Sequence, residues 1–480
     1  MINETGENIE LKKISENIFE IPKQGNMHVP VTIFANEKLL SIMRKDPTLA
    51  QARNVACLPG IRKAFVMPDG HCGYGFPIGG VAAIDVDTGC ICPGGIGYDL
   101  NCGVRLLRTS LSKDDVKEKL PTLMDALFKN VPAGLGEGNV KVSIDELNIV
   151  LKEGARWAVE HGYGEEDDLT FCEENGTMKT ADAGVISDKA KKRGKNQLGS
   201  LGSGNHFLEV QYVDEVFNQE AASVFGLKKG QIVIMVHCGS RGLGHQTCSD
   251  FLREMEDTFK AEIEKLPDRE LVYAPTSSEV CQRYFKAMSA AANFAWCNRH
   301  IIGDLVRRSV KQVFGDSVEV KTVYDVAHNI AKVEEYVFSD GKHKVYVHRK
   351  GATRAFGPGR KEIPEKYRKV GQPIIIPGSM GTGSYVLVGT EEALNLSCGS
   401  TAHGAGRMMS RFRAKKEYRG NQIQRELGER GIIVKGHSIQ GIAEEAPGAY
   451  KDIDEVAKVS DQVGIANAVV RLRPIGVVKG

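Results

Sequence analysis

The chain has 480 residues, 41% of them apolar and 26% charged, with a net charge of +2 at pH 7. That balance fits a soluble globular protein and excludes a uniformly basic nucleic-acid binder, so any nucleic-acid surface must be a local patch. No stretch approaches the ~18 consecutive apolar residues of a membrane span, and the N-terminal MINETGENIELKK lacks the apolar core of a secretory leader. Dividing by ~150 residues per domain allows about three domains, but large single-core enzymes reach this length too.

In chain order, residues 10–36 alternate loosely and end in the strand-like run Val29–Phe34. Residues 64–108 form a glycine-punctuated, strand-rich block. Lys113 to Asn130 has helical spacing, with Val116, Leu120, Leu123, Met124 and Leu127 on one face. Residues 144–161 predict a second helix through Leu147, Val150, Leu151, Ala155 and Ala158. The whole of 111–195 is more helical and polar than its flanks, which predicts a helical insertion or subdomain.

Gln231–Val236 predicts a strand ending at His237, and Lys321–Val326 one ending at His328. Thr276 and Glu279 have the spacing of a capping box for a long helix running to about Phe314. Tyr336–Phe338 and Lys344–Val347 flank Asp340-Gly341 and predict a hairpin. Pro373–Ile376 and Tyr385–Val388 are further strands. No fixed-period repeat or low-complexity tract occurs.

Eleven cysteines, an odd number without framework spacing, point to a reducing cytoplasm with thiols buried or metal-bound. The 53 glycines, more than the usual ~7%, cluster at 70–104, 199–204, 239–244, 378–383 and 399–406. Between them lie the residues that carry chemistry. Asp99 and Cys102 sit three apart, a hard and a soft ligand, and a thiolate can bridge two metal ions. His206, His237 and His328 stand beside glycine loops or at strand ends and supply neutral imidazoles. Each alone reads more readily as a structural histidine than as a catalytic one. Together the five suffice for two divalent ions. His403 lies among small residues in Ala402-His403-Gly404-Ala405-Gly406-Arg407, which suits a nucleophile approached by phosphate with free backbone amides around it.

Pro377-Gly378-Ser379-Met380-Gly381-Thr382-Gly383-Ser384 is a second loop of anion-binding type. No Gly-x4-Gly-Lys-Ser/Thr occurs, which excludes a P-loop. The lysine-nucleophile signature Lys-x-Asp-Gly is also missing, since Met67 and Phe338 stand where that lysine belongs. Basic runs occur at Lys189, Lys191, Lys192, Arg193 and Lys195; at Lys342, Lys344, Arg349, Lys350, Arg354, Arg360 and Lys361; and at Arg411, Arg413, Lys415 and Lys416. Each flanks a candidate site segment and offers the positive stripe a phosphate backbone needs.

Taken together, Met67-Pro-Asp69-Gly-His71 through Val81, Gly97-Tyr-Asp99-Leu-Asn-Cys102, Gly202 through Glu209, His237 through His245, Ala327-His328-Asn329, Pro377 through Met380 and His403 through Arg407 resemble the RtcB family of RNA-splicing ligases. The likeness runs from about residue 20 to Lys479-Gly480, with Gly70 and Cys72 as less usual choices. It implies an α/β (mixed α+β) fold, a single catalytic domain of central layered β structure flanked by helices. It implies joining of RNA 2′,3′-cyclic phosphate or 3′-phosphate ends to 5′-hydroxyl ends, with GTP as co-substrate and two Mn²⁺ per subunit. By resemblance Asp99, Cys102 and His206 hold one ion and Cys102, His237 and His328 the other, and His403 carries GMP. Asn205, His206, Phe207, Leu208, Glu209, His328, Asn329, Pro377, Gly378, Ser379, Met380, Ser384, His403, Gly404, Ala405, Gly406 and Lys479 would surround the GTP, with Tyr450 stacking on guanine. RNA partners such as broken or intron-excised tRNA halves, and an activator of the archease type, are implied in the same way. Ligand softness alone would favour zinc. Two other readings share these residues: a binuclear metallophosphohydrolase such as a cyclic phosphodiesterase, and an RNA-binding protein with a structural site.

Overall fold

The computed structural model describes residues 9–134, 136 and 138–480; residues 1–8 of the N-terminal stretch lie outside them. Two sheets organise a mixed α/β fold. The first has the strand order Lys12–Ser15, Ile18–Ile21, Val31–Phe34, Ile61–His71, Ile78–Asp85, Gly341–Lys350 and Asn329–Phe338. The second runs Val320–Ala327, Gly103–Ser112, Gln231–Cys238, Phe207–Val216, Ala466–Lys479, Ser384–Gly389 and Pro373–Ile376, with Ile433–Gly436 paired in parallel alongside Ala466–Lys479. Pro373–Ile376 approaches Val320–Ala327, which curls the second sheet toward closure.

Gln231–Cys238 explains why a near-continuous apolar run is needed here. All eight residues are buried, and successive side chains enter different cores. Val233 and Met235 pack inside the curl with Val104, Phe207 and Val386. Ile232, Ile234 and Val236 pack on the other face with Leu107, Leu208 and Val306 of the long helix Glu279–Phe314. That helix is buried almost continuously from Ala287 to Asp304.

Most predicted elements occur, with boundary corrections. Residues 113–130 divide into Lys113–Val116 and Leu120–Asn130. Residues 144–161 divide into Ile144–Glu153 and Ala155–Glu160, because Gly154 takes φ +62°. A Cβ there would meet Gly176 O at 2.2 Å. The long helix starts as expected but is capped by Ser278, whose side chain accepts from Cys281 N–H. Thr276 instead donates to Gly89 O at 3.1 Å. The hairpin is longer than predicted, Asn329–Phe338 against Gly341–Lys350. Between Gly103–Ser112 and Phe207–Val216 the described elements are all helical, and several pack on the long helix.

The topology positions the chemistry. Ala327 pairs with Gly103, Gly103 with Cys238, His237 with Phe207, and Phe207 with Lys479. Five adjacent strands therefore bring Cys102, His206, His237, His328 and Lys479 to one rim of the second sheet. His328 is the single residue between Val320–Ala327 of the second sheet and Asn329–Phe338 of the first.

Candidate active site

Behind the rim stands a fully buried ion cluster. Asp325 accepts from Arg105 at 2.9 Å and from Arg299 at 2.8 Å. Arg299 also donates to Asn101 O at 2.7 Å and Cys238 O at 2.8 Å. Both carbonyls belong to neighbours of candidate ligands, so one guanidinium fixes the backbone on either side of Cys102 and His237.

The ligand atoms converge. Cys102 Sγ lies 3.4 Å from His206 Nε2 and 3.2 Å from His237 Nε2. His206 Nε2 lies 2.8 Å from Asp99 Oδ2, and His237 Nε2 3.3 Å from His328 Nε2. Asp99, Cys102 and His206 form one group with ligand atoms within 4.8 Å of one another, and Cys102, His237 and His328 a second. Cys102 is common to both. Asp99 can approach because residue 239 is glycine; a Cβ there would fall 2.3 Å from Asp99 Oδ1, and Ser240 N–H donates to that oxygen at 3.0 Å.

This donor set fits divalent metal ions. His206 Nδ1 faces Leu201 O at 3.0 Å; against burial, Cys102, Cys238 and Asp99 raise this imidazole well above its ordinary value, so Nε2 holds toward Asp99 a proton that a metal ion would displace. His237 and His328 face each other Nε2 to Nε2 at 3.3 Å, and His237 Nδ1 has no hydrogen-bond partner among the described residues. A cation resolves both contacts. Burial pushes His237 and His328 well below the usual imidazole range, which favours the neutral ligand form. Burial, reinforced by Asp99, pushes the Cys102 thiol up to about 12 when only protein surrounds it.

His403 adjoins the second group, its ring centroid 4.8 Å from that of His328. Its Nδ1 lies 2.5 Å from Asp69 Oδ2. The same carboxylate oxygen accepts from His403 N–H at 3.0 Å and Gly404 N–H at 3.3 Å. Burial alone would raise the Asp69 carboxyl, but His403 outweighs it and holds the group below its ordinary value. Nδ1 is thereby the donor, and Nε2 keeps the nucleophilic lone pair. Here the sequence expectation is corrected: the amides of 403 and 404 are not free for phosphate, because Asp69 takes them. Gly406 at φ +71° lets the loop pass Asp69, where a Cβ would meet the Asp69 carbonyl oxygen at 2.2 Å.

A cavity of about 370 Å³ opens on this wall. Of the predicted residues it is lined by Asp99, Cys102, Asn205, Phe207, Glu209, His237, His328, Asn329, Pro377, Gly378, Ser379, Met380, His403, Gly404, Ala405, Gly406, Tyr450 and Lys479. His206 stands behind them, beside Asp99. Leu208 faces the apolar core with Ile234 and Val478, since its neighbours on the strand point the other way. Ser384 is buried, accepting from Gly378 N–H at 3.1 Å and from Gln211 at 3.0 Å. It holds the 377–384 loop from behind. Ser379 N–H is bonded to Thr382 Oγ1 at 2.8 Å, so part of the expected phosphate cradle is spent on the loop itself.

At the far end Lys479 Nζ lies 5.5 Å from the Phe207 ring centroid and 3.8 Å from Glu445. Burial pushes the Glu209 carboxyl up to about 8, with Lys479 opposing. Glu445 accepts from Tyr450 and from Arg407 and Arg411, the latter two at 3.3 Å. Glu445 and the Asp69 partnership escape sequence reasoning. Asp69 was visible in its Asp-Gly-His motif, but nothing in the chain links it to a histidine 334 positions away. Glu445 carries no signal.

The basic runs separate in space. Arg349, Lys350 and Arg354 are buried; Arg349 pairs with Glu334 at 2.5 Å and Arg354 with Glu174 at 3.0 Å, so the middle run is no continuous surface stripe. Arg411, Arg413, Lys415 and Lys416 stay exposed.

Fold and site define a class: a mixed α/β protein whose sheet rim gathers a buried Asp/Cys/His set beside a carboxylate-held histidine. The family model described as tRNA-splicing ligase RtcB matches residues 51–480. The tRNA-splicing ligase RtcB of Thermococcus kodakarensis is 56% identical over 99% of this chain and 100% of its own length. Those of Nanoarchaeum equitans and Pyrobaculum aerophilum are 53% and 54% identical over 98% of the chain and 100% of theirs. The chain belongs to the RtcB family.

Proposed function

We propose that this chain is a GTP- and manganese-dependent RNA ligase that joins 2′,3′-cyclic phosphate or 3′-phosphate ends to 5′-hydroxyl ends, serving tRNA splicing or RNA repair in a reducing cytoplasm. The observation that carries the reading is His403, held at Nδ1 by Asp69 beside two metal-ligand groups that share Cys102. Full-length kinship to proteins named tRNA-splicing ligases supports it. The eleven cysteines, all free thiols, support the reducing compartment. The single catalytic domain with layered β structure and a helical insertion at 111–195 belongs to the same reading.

Asp99, Cys102 and His206 would hold one ion, and Cys102, His237 and His328 the other. Bound there, divalent ions neutralise phosphate oxygens and favour an in-line displacement. Asp69 fixes the His403 ring and stabilises the proton on Nδ1. Nε2 attacks the α-phosphorus of GTP; the N–P bond forms, the bond to the bridging oxygen breaks, and pyrophosphate leaves. The GMP then passes to an RNA 3′-phosphate, restoring free His403. Attack by a 5′-hydroxyl on that activated phosphate makes the phosphodiester and releases GMP. Asn205, Phe207, Glu209, Asn329, Pro377 to Met380, Gly404 to Gly406, Tyr450 and Lys479 line the space for the nucleotide.

The test is incubation with α-labelled GTP and Mn²⁺. An acid-labile, alkali-stable protein–GMP adduct forms with the wild type and vanishes in His403→Ala. Label that persists in the variant removes His403 from this role, and RNA-end hydrolysis without any adduct selects the metallophosphohydrolase reading.

A further inference from the structure

Among the described residues only two large aromatics are well exposed, Phe217 and Phe412. Phe217 stacks on Tyr385, with ring centroids 6.1 Å apart. Phe412 is 66% exposed and has no ring partner among the described residues. A single exposed ring is ordinary on a protein surface and does not by itself point to a ligand; the surroundings of this one do.

Its setting is specific. Phe412 lies in the helix Arg411–Glu417, whose Ala414 is the buried contact. Two residues along a helix is a turn of about 200°, so Phe412 faces away from the protein. Lys416 Nζ sits 4.2 Å from the ring centroid, covering one face. Arg411, the preceding residue, lines the catalytic cavity and reaches Asn205 Oδ1 at 3.3 Å. Arg413 is paired with Glu417 at 2.5 Å and Lys415 with Glu444 at 2.9 Å. Lys416 has no carboxylate partner among the described residues, so a cation and an open ring face remain next to the cavity mouth.

We propose that Phe412 and Lys416 form a stacking platform for single-stranded RNA, on which a base near the reacting end lies against the free ring face while Lys416 meets its phosphate. A ring bounded by a cation is the arrangement that holds nucleobases without reading sequence. The proposal rests on the RNA-ligase reading of the cavity. It adds a positioning role outside that cavity, separate from guanylylation.

The experiment compares wild type, Phe412→Ala, Phe412→Leu and Phe412→Trp. Binding of a labelled single-stranded RNA with a 3′-phosphate is followed by anisotropy, ligation by KM and kcat, and His403 guanylylation in parallel. Alanine and leucine are expected to raise the RNA Kd and KM roughly tenfold, the range of one base–aromatic stack. Guanylylation stays unchanged, and tryptophan restores affinity. RNA Kd and KM within twofold of wild type in Phe412→Ala overturn the platform, including in favour of a protein partner on this surface. Equal affinity of the leucine variant and wild type overturns stacking as its basis. A wild-type chain that binds no RNA removes the ligase reading itself.

Discussion

At the residue scale the decisive contact is Asp69 to His403. Asp69→Asn keeps the shape but replaces an anionic acceptor with an amide that no longer enforces the Nδ1 proton. Guanylylation should fall on the order of 10²–10⁴-fold with GTP affinity little changed, measured as single-turnover adduct formation; a loss below tenfold would leave Asp69 a purely structural partner. Cys102→Ala should lower metal content at both groups, because its sulfur belongs to each. Elemental analysis showing wild-type stoichiometry would refute sharing. Thiolate and imidazole ligands are soft enough for zinc to compete, so equimolar Zn²⁺ should suppress Mn²⁺-supported adduct formation. The side chains that gather in the two groups could be picked out in the sequence because glycine-flanked histidines and Asp-x-x-Cys are chemically distinctive. Their partners were not: Asp69 and Glu445 act through contacts that only folding creates.

At the element scale, the long helix Glu279–Phe314 serves the site through Arg299. Replacing Arg299 by Met leaves the buried Asp325 with Arg105 as its one remaining guanidinium and frees the Asn101 and Cys238 carbonyls. The expected cost is about 3–5 kcal/mol, seen in denaturant unfolding, with loss of bound metal in whatever remains folded. Metal retained at full occupancy would show that the rim holds its shape without this guanidinium. Gly154→Ala tests the break between Ile144–Glu153 and Ala155–Glu160. Positive φ and a carbonyl in the path of a Cβ predict about 1–3 kcal/mol of destabilisation; a stabilised variant would mean the two helices prefer to be one. The periodicity of residues 144–161 read through this glycine because an apolar stripe is indifferent to a single backbone reversal. The long helix was legible from end to end, yet its cap was displaced two residues, since Thr276 and Ser278 offer the same hydroxyl and only the turn geometry chooses.

At the scale of the whole molecule, acidic pH should act through carboxylates held by buried cations. Lys332, and then Arg354, hold Glu174 down at about 2, and Arg299 and Arg105 overcome burial to hold Asp325 below its ordinary value. A depressed carboxylate stabilises the fold above its unfolded value of about 4 and loses that contribution as pH falls toward the folded one. Thermal stability should therefore decline from about pH 4 to pH 2, and a melting temperature flat over that interval would contradict these pairings. The strands themselves were legible as apolar runs, but their assembly was not. Nothing in the sequence states that Ala466–Lys479 pairs with Phe207–Val216, or that His328 stands where the chain leaves one sheet for the other.

That pairing has a consequence for how the protein is made. Ala466–Lys479 follows every other strand in the chain yet lies inside the second sheet, between Phe207–Val216 and Ser384–Gly389. During synthesis those two strands must wait with unpaired edges until residue 479 has emerged, and the candidate site waits with them. Ribosome-bound chains halted at residue 465 should be protease-sensitive and prone to edge-to-edge association. The candidate cavity is completed late, when a single strand slides into the gap and brings Lys479 with it.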